Sequence, residues 1–400
     1  MAKRGITGSG LKDAIAMSEA EITGHDVPFN RACLVGREFV FMAKALDQMH
    51  ISGDGGYSKA CHAWLERFLG VGRALLTTSC THALEMAALL LEIGPGDEVI
   101  VPSFTFVSTA NAFALRGAKI IFADIRPDTL NIDESKLERL ITPRTRVVVA
   151  VHYAGVGCEM DAIMNICVPR RIVVVEDNAH GLFGKYRGRQ LGTFGTIAAL
   201  SFHETKNVTC GEGGAILLND PSLIERADII RQKGTDRARF FRGEVDRYTW
   251  VGLGSSYLPS DLLAAFLLAQ LESWGHIQSL RQAVWNRYHQ GLEQWACRWD
   301  VKRPEIPPHC QQAYHLYYVV MPTPAARDGL IALLKSRGIS AVFHYQPLHL
   351  SVMGEGFGGR GGDCPVTERI SPRLLRLPFF NLLSVEDQSY VIGAVSSFKC

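Results

Sequence analysis

The chain has no C-x-x-C pair and no cysteines and histidines at metal-ligand spacing, although it carries ten cysteines, Cys33, Cys61, Cys80, Cys158, Cys167, Cys210, Cys297, Cys310, Cys364 and Cys400. That scatter argues against a disulfide frame or a zinc site and suits the reduced thiols of a cytoplasmic protein. No apolar stretch approaches the length needed to span a bilayer, so no membrane span is expected. Residues 1–26 place Lys3 and Arg4 before a mixture of Gly, Ser, Asp and Glu, without the apolar core of a signal peptide; they read as a flexible extension. Charge of either sign is not in excess. Lys and Arg total 42 against 40 Asp and Glu, and no basic block occurs that would select nucleic acid or an anionic membrane as the main partner. Any anion site must therefore be local. No G-x-G-x-x-G joins an early strand to a helix, which speaks against a nicotinamide dehydrogenase.

What the chain does have is length and apolar content: 400 residues, 47% hydrophobic, enough for a large core and more than one lobe. A helix is expected over Glu38 to Met49 and another over Lys59 to Leu69, capped by Ser58. Strands and helices then alternate. Short apolar runs fall at Ala74 to Thr78, Glu98 to Pro102, Lys119 to Asp124, Arg146 to Tyr153, Arg171 to Glu176, Thr196 to Phe202 and Ala215 to Asn219. Several are apolar at consecutive positions, as in strands covered on both faces. Helical text separates many of them, for example Thr81 to Ile93, Val107 to Arg116 and Glu134 to Leu140, so the pattern predicts an α/β fold with a largely parallel sheet. A long helical region from Asp261 to about Trp295, interrupted near Gly275 and capped by Ser260, leads into a smaller α+β region. That region holds strand-like Tyr317 to Val320 and Ala341 to Phe343, and a loop, Gly354 to Asp363, too glycine-rich to pack. The expected division is a large domain over residues 27–271 and a small one over 272–400.

In such sheets ligands bind at the carboxyl ends of strands, and the chemistry-bearing residues fall there. Ser201-Phe202-His203-Glu204-Thr205-Lys206-Asn207 ends one strand and delivers a lysine into the turn Cys210-Gly211-Glu212-Gly213-Gly214. A strand-end lysine is ordinarily solvated; one enclosed in a partly apolar site loses proton affinity and can form an imine with a carbonyl such as that of pyridoxal phosphate (PLP). Asp177, at the end of another run, needs a partner, either a neighbouring arginine or a pyridinium nitrogen. His180 follows three residues on and is either structural or in contact with the same ring. Thr78-Ser79-Cys80-Thr81 lies where a strand gives way to a helix, so it is either a plain helix cap or a phosphate pocket of backbone amides and hydroxyls, with Ser201 a further hydroxyl. Phe104, in Pro102-Ser103-Phe104-Thr105-Phe106, is either core or a cover for a planar ring.

The order of these segments, together with Glu176-Asp177-Asn178-Ala179-His180, His344-Tyr345-Gln346-Pro347-Leu348-His349 and Leu377-Pro378-Phe379-Phe380, resembles the sugar-nucleotide aminotransferases of PLP fold type I, the DegT/DnrJ/StrS type. The likeness runs from about Val27 to the C-terminus. Gly53-Asp54-Gly55-Gly56, Phe202 to Asn207 and Phe240-Phe241-Arg242-Gly243 carry a narrower likeness to the members that make dTDP-4-amino-4,6-dideoxygalactose. The resemblance implies a large PLP-binding domain with a mostly parallel sheet and a smaller C-terminal domain. It makes Lys206 the imine lysine and catalytic base and Asp177 the pyridinium partner. It sets Ser79, Cys80, Thr81 and Ser201 around the cofactor phosphate, and Phe104 and His180 at the ring. Departures are His180 where glutamine is common, Phe104 where tyrosine or tryptophan is common, and Ser256 where many members donate an asparagine across a dimer interface.

The implied activity transfers an amino group from L-glutamate, through PLP and pyridoxamine phosphate, to C4 of a dTDP-4-keto-6-deoxy sugar, in a homodimer with ping-pong kinetics. Arg237, Arg239, Arg242, His344 and His349 are the positive groups expected at the sugar-nucleotide diphosphate, or else members of a solvated basic surface. A pyridoxamine-phosphate sugar dehydratase would carry histidine in place of Lys206, and a transaminase of another keto-sugar nucleotide is the nearer alternative. A cysteine desulfurase would need a patterned nucleophile that Cys210 and Cys364 do not provide. A cofactor-binding regulator would not need the full set of Lys206, Asp177 and phosphate residues.

Overall fold

The computed structural model describes residues 26–400, so the expected extension over 1–26 lies, apart from Asp26, outside the described residues. Seven strands build the central sheet: β1 (Arg73–Thr77), β2 (Glu98–Pro102), β3 (Lys119–Ala123), β4 (Thr145–Val151), β5 (Val173–Asp177), β6 (Ile197–Ser201) and β7 (Gly214–Leu218). Their order is β1-β7-β6-β5-β4-β2-β3. From β6 to β3 all neighbours are parallel; β7 alone runs antiparallel to both β1 and β6.

The uninterrupted valines of β4 and β5 are explained by this layering. Val147, Val149 and Val175 enter one buried cluster with α3 (Cys80–Leu90) and α4 (Val107–Ala114), which follow α1 (Glu38–Asp47) and α2 (Gly56–Leu69) in the chain, whereas Val148, Ala150 and Val174 enter another with Met160 and Ile163. Both faces are covered, so neither set of positions tolerates a polar side chain, and each buried valine contributes about 1.5–3 kcal/mol. A further apolar cluster joins Val284, Trp285 and Tyr288 of the long helix Trp274–Gly291 to Val319, Leu330, Leu375 and Val391. These come from the strand pair Tyr318–Val320 and Leu374–Arg376 and from two C-terminal helices, Pro324–Ser336 and Val385–Ser396.

Four local expectations are corrected. Ser58 does not cap the helix it precedes: α2 begins at Gly56, and its first amides are bound by Asp261, which accepts from the Tyr57 and Ser58 N–H groups at 3.1 and 2.7 Å and from the Ser58 hydroxyl at 2.7 Å. A carboxylate 203 residues away replaces the local cap because the following helix, Asp261–Glu272, packs alongside α2 with its own N-terminus at the same end. Residues 134–140 form two 3₁₀ turns, Glu134–Lys136 and Glu138–Leu140, instead of one α-helix. The segment Gly354 to Asp363 packs at two points, Gly354 and Gly359, while most of it is exposed. Gly354 is buried, and a Cβ on Gly354 or Gly359 would collide with the backbone of Leu348 and His349, so the absence of side chains is what permits the close approach. Ala341 to Phe343 supplies only a single bridge, Val342 to Arg376.

Candidate active site

The antiparallel insertion of β7 brings the site together. Thr77 pairs with Gly214, and Gly214 pairs with Ser201, so the ends of β1 and β6 flank one glycine. That glycine faces the first turn of α3; a Cβ there would run into the Ser79 carbonyl and the Cys80 nitrogen. Ser79 is the N-cap of α3, accepting from the His82 N–H at 3.1 Å. The Cys80 and Thr81 amides and the Ser201 hydroxyl have no hydrogen-bond partner among the described residues, and they converge on the positive end of an eleven-residue helix. These are groups that would hold a phosphate. The Thr81 hydroxyl is turned toward Ser108, 2.8 Å away.

Lys206 follows β6 in a turn pinned to the segment before β7. Phe202 N–H donates to Gly213 at 2.8 Å, Glu204 N–H to Gly211 at 2.9 Å and Lys206 N–H to His203 at 2.9 Å. The side chain occupies a half-buried position where burial, with a smaller push from Arg376, brings its pKa down to about 8 against the opposing pull of Cys80 and Asp177. A lysine in this state has a sizeable neutral fraction near pH 8, as a nucleophile or proton-transfer base requires.

Asp177 is the last residue of β5 and is buried. The arginine partner that the sequence allowed is absent among the described residues. Its Oδ2 accepts from the Thr109 hydroxyl at 2.7 Å and its Oδ1 from the Ala179 N–H at 3.2 Å, both neutral donors. The carboxylate is thus oriented without being neutralised, which leaves it fit to hold a protonated pyridine nitrogen.

Three imidazoles stand beside this pair. His180 stacks on His315 with centroids 4.1 Å apart and lies nearly parallel to His344 at 6.1 Å. Burial and the neighbouring Lys206 push all three below the ordinary histidine range, so they are neutral rings, not cations. His315 is fixed by Asn207, 3.0 Å from its Nδ1, and His344 by the Tyr153 hydroxyl at 3.0 Å. Nδ1 of His180 is buried with no partner. An orphaned nitrogen of this kind fits a polar group on a bound ring. Phe104 is fully buried, edge-on to Tyr153 at 5.1 Å and Tyr345 at 5.5 Å. Lys206, Asp177, open phosphate-binding amides and an unpartnered ring nitrogen together match what PLP needs, and the residues present fit it.

Two of the residues expected at the sugar nucleotide already have side-chain partners within this chain. His349 is wholly buried between Ser103 and Glu368, with Nδ1 2.6 Å from the Ser103 hydroxyl and Nε2 2.9 Å from the Glu368 carboxylate. Both ring nitrogens are used, and its part is to tie the Phe104 loop to the C-terminal region. Arg242 is exposed just past the short helix Arg237–Phe241 and paired with Glu244 at 2.6 Å. Residues that the sequence reading passed over are Thr109, Tyr153, His315, Tyr345 and Arg376. Tyr153 follows β4, so the same strand-end rule would have found it. Thr109 lies one helical turn after Thr105, whose hydroxyl is 2.9 Å from its own. Nothing local marks His315 or Arg376.

Comparisons with known proteins agree with this chemistry. The model of the DegT/DnrJ/EryC1/StrS aminotransferase family matches residues 35–396. The spore coat polysaccharide biosynthesis protein SpsC of Bacillus subtilis is 35% identical over 336 residues, covering 82% of this chain and 86% of its own. Among solved structures, the aminotransferase TlmJ from Streptoalloteichus hindustanus superposes with a TM-score of 0.85 at 31% identity, over 93% of this chain and 98% of that one. The PLP form of Spr1654 from Streptococcus pneumoniae gives a TM-score of 0.86 at 25% identity, over 94% and 98%. With the strand order, the Lys206 turn and the Asp177 pairing already in place, these matches identify the chain as a member of the DegT/DnrJ/EryC1/StrS aminotransferase family, a PLP-dependent enzyme of fold type I.

Proposed function

We propose that the enzyme aminates C4 of a dTDP-4-keto-6-deoxy sugar with L-glutamate as donor, giving dTDP-4-amino-4,6-dideoxygalactose for a surface polysaccharide. The observation that carries the aminotransferase part is the amine of Lys206, held near a pKa of about 8 beside a carboxylate that only neutral groups bind. The sugar part is supported by the motifs Gly53 to Gly56, Phe202 to Asn207 and Phe240 to Gly243, and by the printed role of SpsC in polysaccharide biosynthesis.

Bound PLP supplies a carbonyl that takes up an amino group and a ring that draws electrons from the adjoining carbon. Asp177 holds the proton on the ring nitrogen. Nζ of Lys206 takes a proton from the donor's α-carbon in the first half-reaction and delivers one to C4 of the sugar in the second, which predicts ping-pong kinetics. Which face of the sugar meets Lys206 sets axial or equatorial amination. In this reading Ser79, Cys80, Thr81 and Ser201 hold the phosphate, Phe104 and His180 lie at the ring, and His344 and Arg242 serve the sugar nucleotide. His349 serves only through Ser103.

The reading includes a homodimer, supported by the exposed apolar side chains Phe241, Trp250 and Leu253, which are 69%, 75% and 65% accessible on one segment. Arg242 lies within that segment and Ser256 just beyond it, so a partner chain seated there would meet both. It also keeps the division at residue 271/272, within the last turn of the helix Asp261–Glu272 and just ahead of Ser273, where the helix Trp274–Gly291 takes over. A dehydratase is disfavoured by lysine at position 206. Incubation with dTDP-4-keto-6-deoxyglucose and L-glutamate, with the C4 configuration of the product read by NMR, tests the proposal. A 4-amino sugar of galacto configuration is expected; an equatorial amine, or no amination of this sugar while another keto-sugar nucleotide is aminated, would overturn it.

A further inference from the structure

A cleft of about 650 Å³ lies between the long helix Trp274–Gly291 and the segment 304–314, and none of the residues that line it belongs to the chamber around Lys206. Its size is that of a small-molecule site. Phe183, Trp274, Trp285 and Tyr314 give it aromatic walls, and five glutamine and asparagine side chains, Gln278 and Gln282 among them, give it amides. Among the described residues no lysine, arginine, aspartate or glutamate lines it. The imidazole on its wall, His289, is held below the ordinary histidine range by burial and by Arg303, so it too is neutral.

Several of these groups are incomplete. Trp274 stacks on Phe183 at 5.5 Å and is still 38% exposed. Both polar atoms of the Gln278 amide and Nε1 of Trp285 are buried without a hydrogen-bond partner among the described residues. Buried polar groups in folded chains are nearly always paired, so these atoms call for a polar occupant, and a small rotation of the Gln278 amide, which no hydrogen bond holds, turns it toward one. Tyr314 has φ 51°, a left-handed backbone that is rare for a bulky side chain. Arg281 holds it there, donating to the Tyr314 carbonyl at 2.8 Å and to the His315 carbonyl. The Tyr314 ring thereby walls the cleft while its neighbour His315 stacks on His180 in the catalytic chamber. Backbone strain that the surroundings over-determine in this way clusters at ligand sites.

We propose that this cleft is a second ligand site, outside the catalytic chamber, for an uncharged pyranose ring. A pyranose has a face of C–H groups, which suits an aromatic surface such as Trp274, and a rim of hydroxyls that donate and accept, which suits amides that do both. An anion or a cation would enter without a counter-charge. That excludes a sugar nucleotide, whose diphosphate needs positive groups, and sets the occupant apart from the substrate of the catalytic site. A purely apolar occupant is excluded in turn, since it would leave the amides and the indole N–H unpaired. The ring comes either as a free sugar or as the end unit of a glycan.

The test is saturation-transfer NMR on the PLP-loaded enzyme with methyl α-D-glucopyranoside, methyl α-D-galactopyranoside and maltose as probes. Ring-proton signals with a Kd of about 1–10 mM are expected for at least one of them, the affinity that so small a ligand reaches. Trp274→Ala should weaken binding by about 3- to 10-fold through loss of the stacking face, and Gln278→Leu should weaken it as well. His344→Ala, which alters the catalytic chamber, should leave it unchanged. Glucose 1-phosphate, the same ring with an added anion, should bind more weakly than the methyl glucoside. Should Trp274→Ala not fold, Gln278→Leu carries the comparison. Tighter binding of maltose assigns the site to a glycan end and equal binding to a free sugar, and both support a pyranose site. No signal from any uncharged pyranose up to about 100 mM overturns the site. Binding that both cleft variants keep, or that only His344→Ala loses, overturns its location, and tighter binding of glucose 1-phosphate overturns the neutral occupant.

Discussion

The hydroxyl of Thr109 donates a 2.7 Å hydrogen bond to Oδ2 of Asp177, from the first turn of α4 to the end of β5. Thr109 is itself buried, and the Thr105 hydroxyl, 2.9 Å away, is placed to donate to it in turn. The acid of the site is therefore aimed by a chain of neutral groups that leaves its charge available. Thr109→Val keeps the shape and removes the donor. A hydrogen bond to a charged group is worth about 1.5–3 kcal/mol, so turnover should fall by about 10- to 100-fold and the cofactor should dissociate more readily. Steady-state kinetics and cofactor retention on gel filtration check this; a variant with full turnover would show that the Ala179 amide suffices.

Lys206→Ala should lose turnover by about 10² to 10⁴-fold or more, the range assigned to a positioned proton-transfer group. The check is a single-turnover assay with L-glutamate and cofactor added to saturation. Substantial residual transamination would remove Lys206 from the role.

The same lysine gives the apoprotein a pH signature. Its folded pKa is about 8 against an ordinary 10.5, so between those values the unfolded chain binds a proton that the folded chain does not. Stability rises with pH across that window, and the penalty of housing the charged amine is fully present below about pH 8. Lys206→Met should therefore stabilise the apoprotein relative to wild type at pH 7, with the difference shrinking toward pH 10.5. Urea midpoints at several pH values measure it, and a difference that does not change with pH would rule the shift out.

His349→Ala should cost about 1–3 kcal/mol, since it removes the ring partner of the buried Ser103 hydroxyl and one of the donors to the half-buried Glu368 carboxylate, which keeps the Gly362 N–H. It should also loosen the loop that carries Phe104, and with it cofactor retention. Denaturation midpoints and cofactor loss rates, compared with Lys302→Ala as an exposed control on the same scale, separate the two consequences.

How much of this was legible in the sequence depended on whether the signal was local. The strands of the sheet were, because valines on consecutive positions have one explanation, burial on both faces. Lys206, Asp177 and the Ser79 to Thr81 segment were legible because strand ends in a parallel sheet mark the ligand side. What could not be read depends on partners far along the chain. His349 looked like a substrate contact, yet its neighbours are Ser103 and Glu368. Asp177 was open between an arginine and a ring nitrogen until Thr109 was seen beside it. Gly354 to Asp363 is mostly exposed, as its glycine content suggests, but at Gly354 and Gly359 the missing side chain is what lets the loop touch the Leu348 and His349 backbone. Arg376 carried no signal at all, since an unpaired charge is visible only when every neighbour is known.

The Asp261 carboxylate on the first turn of α2 has a consequence for synthesis. A ribosome that has released residues 56–69 must still make nearly two hundred more before the group that binds the Tyr57 and Ser58 amides emerges. Until then α2 has no side-chain acceptor at its leading turn. Helix α2 therefore becomes fully ordered late, only when the segment that opens the last third of the chain has arrived to complete it.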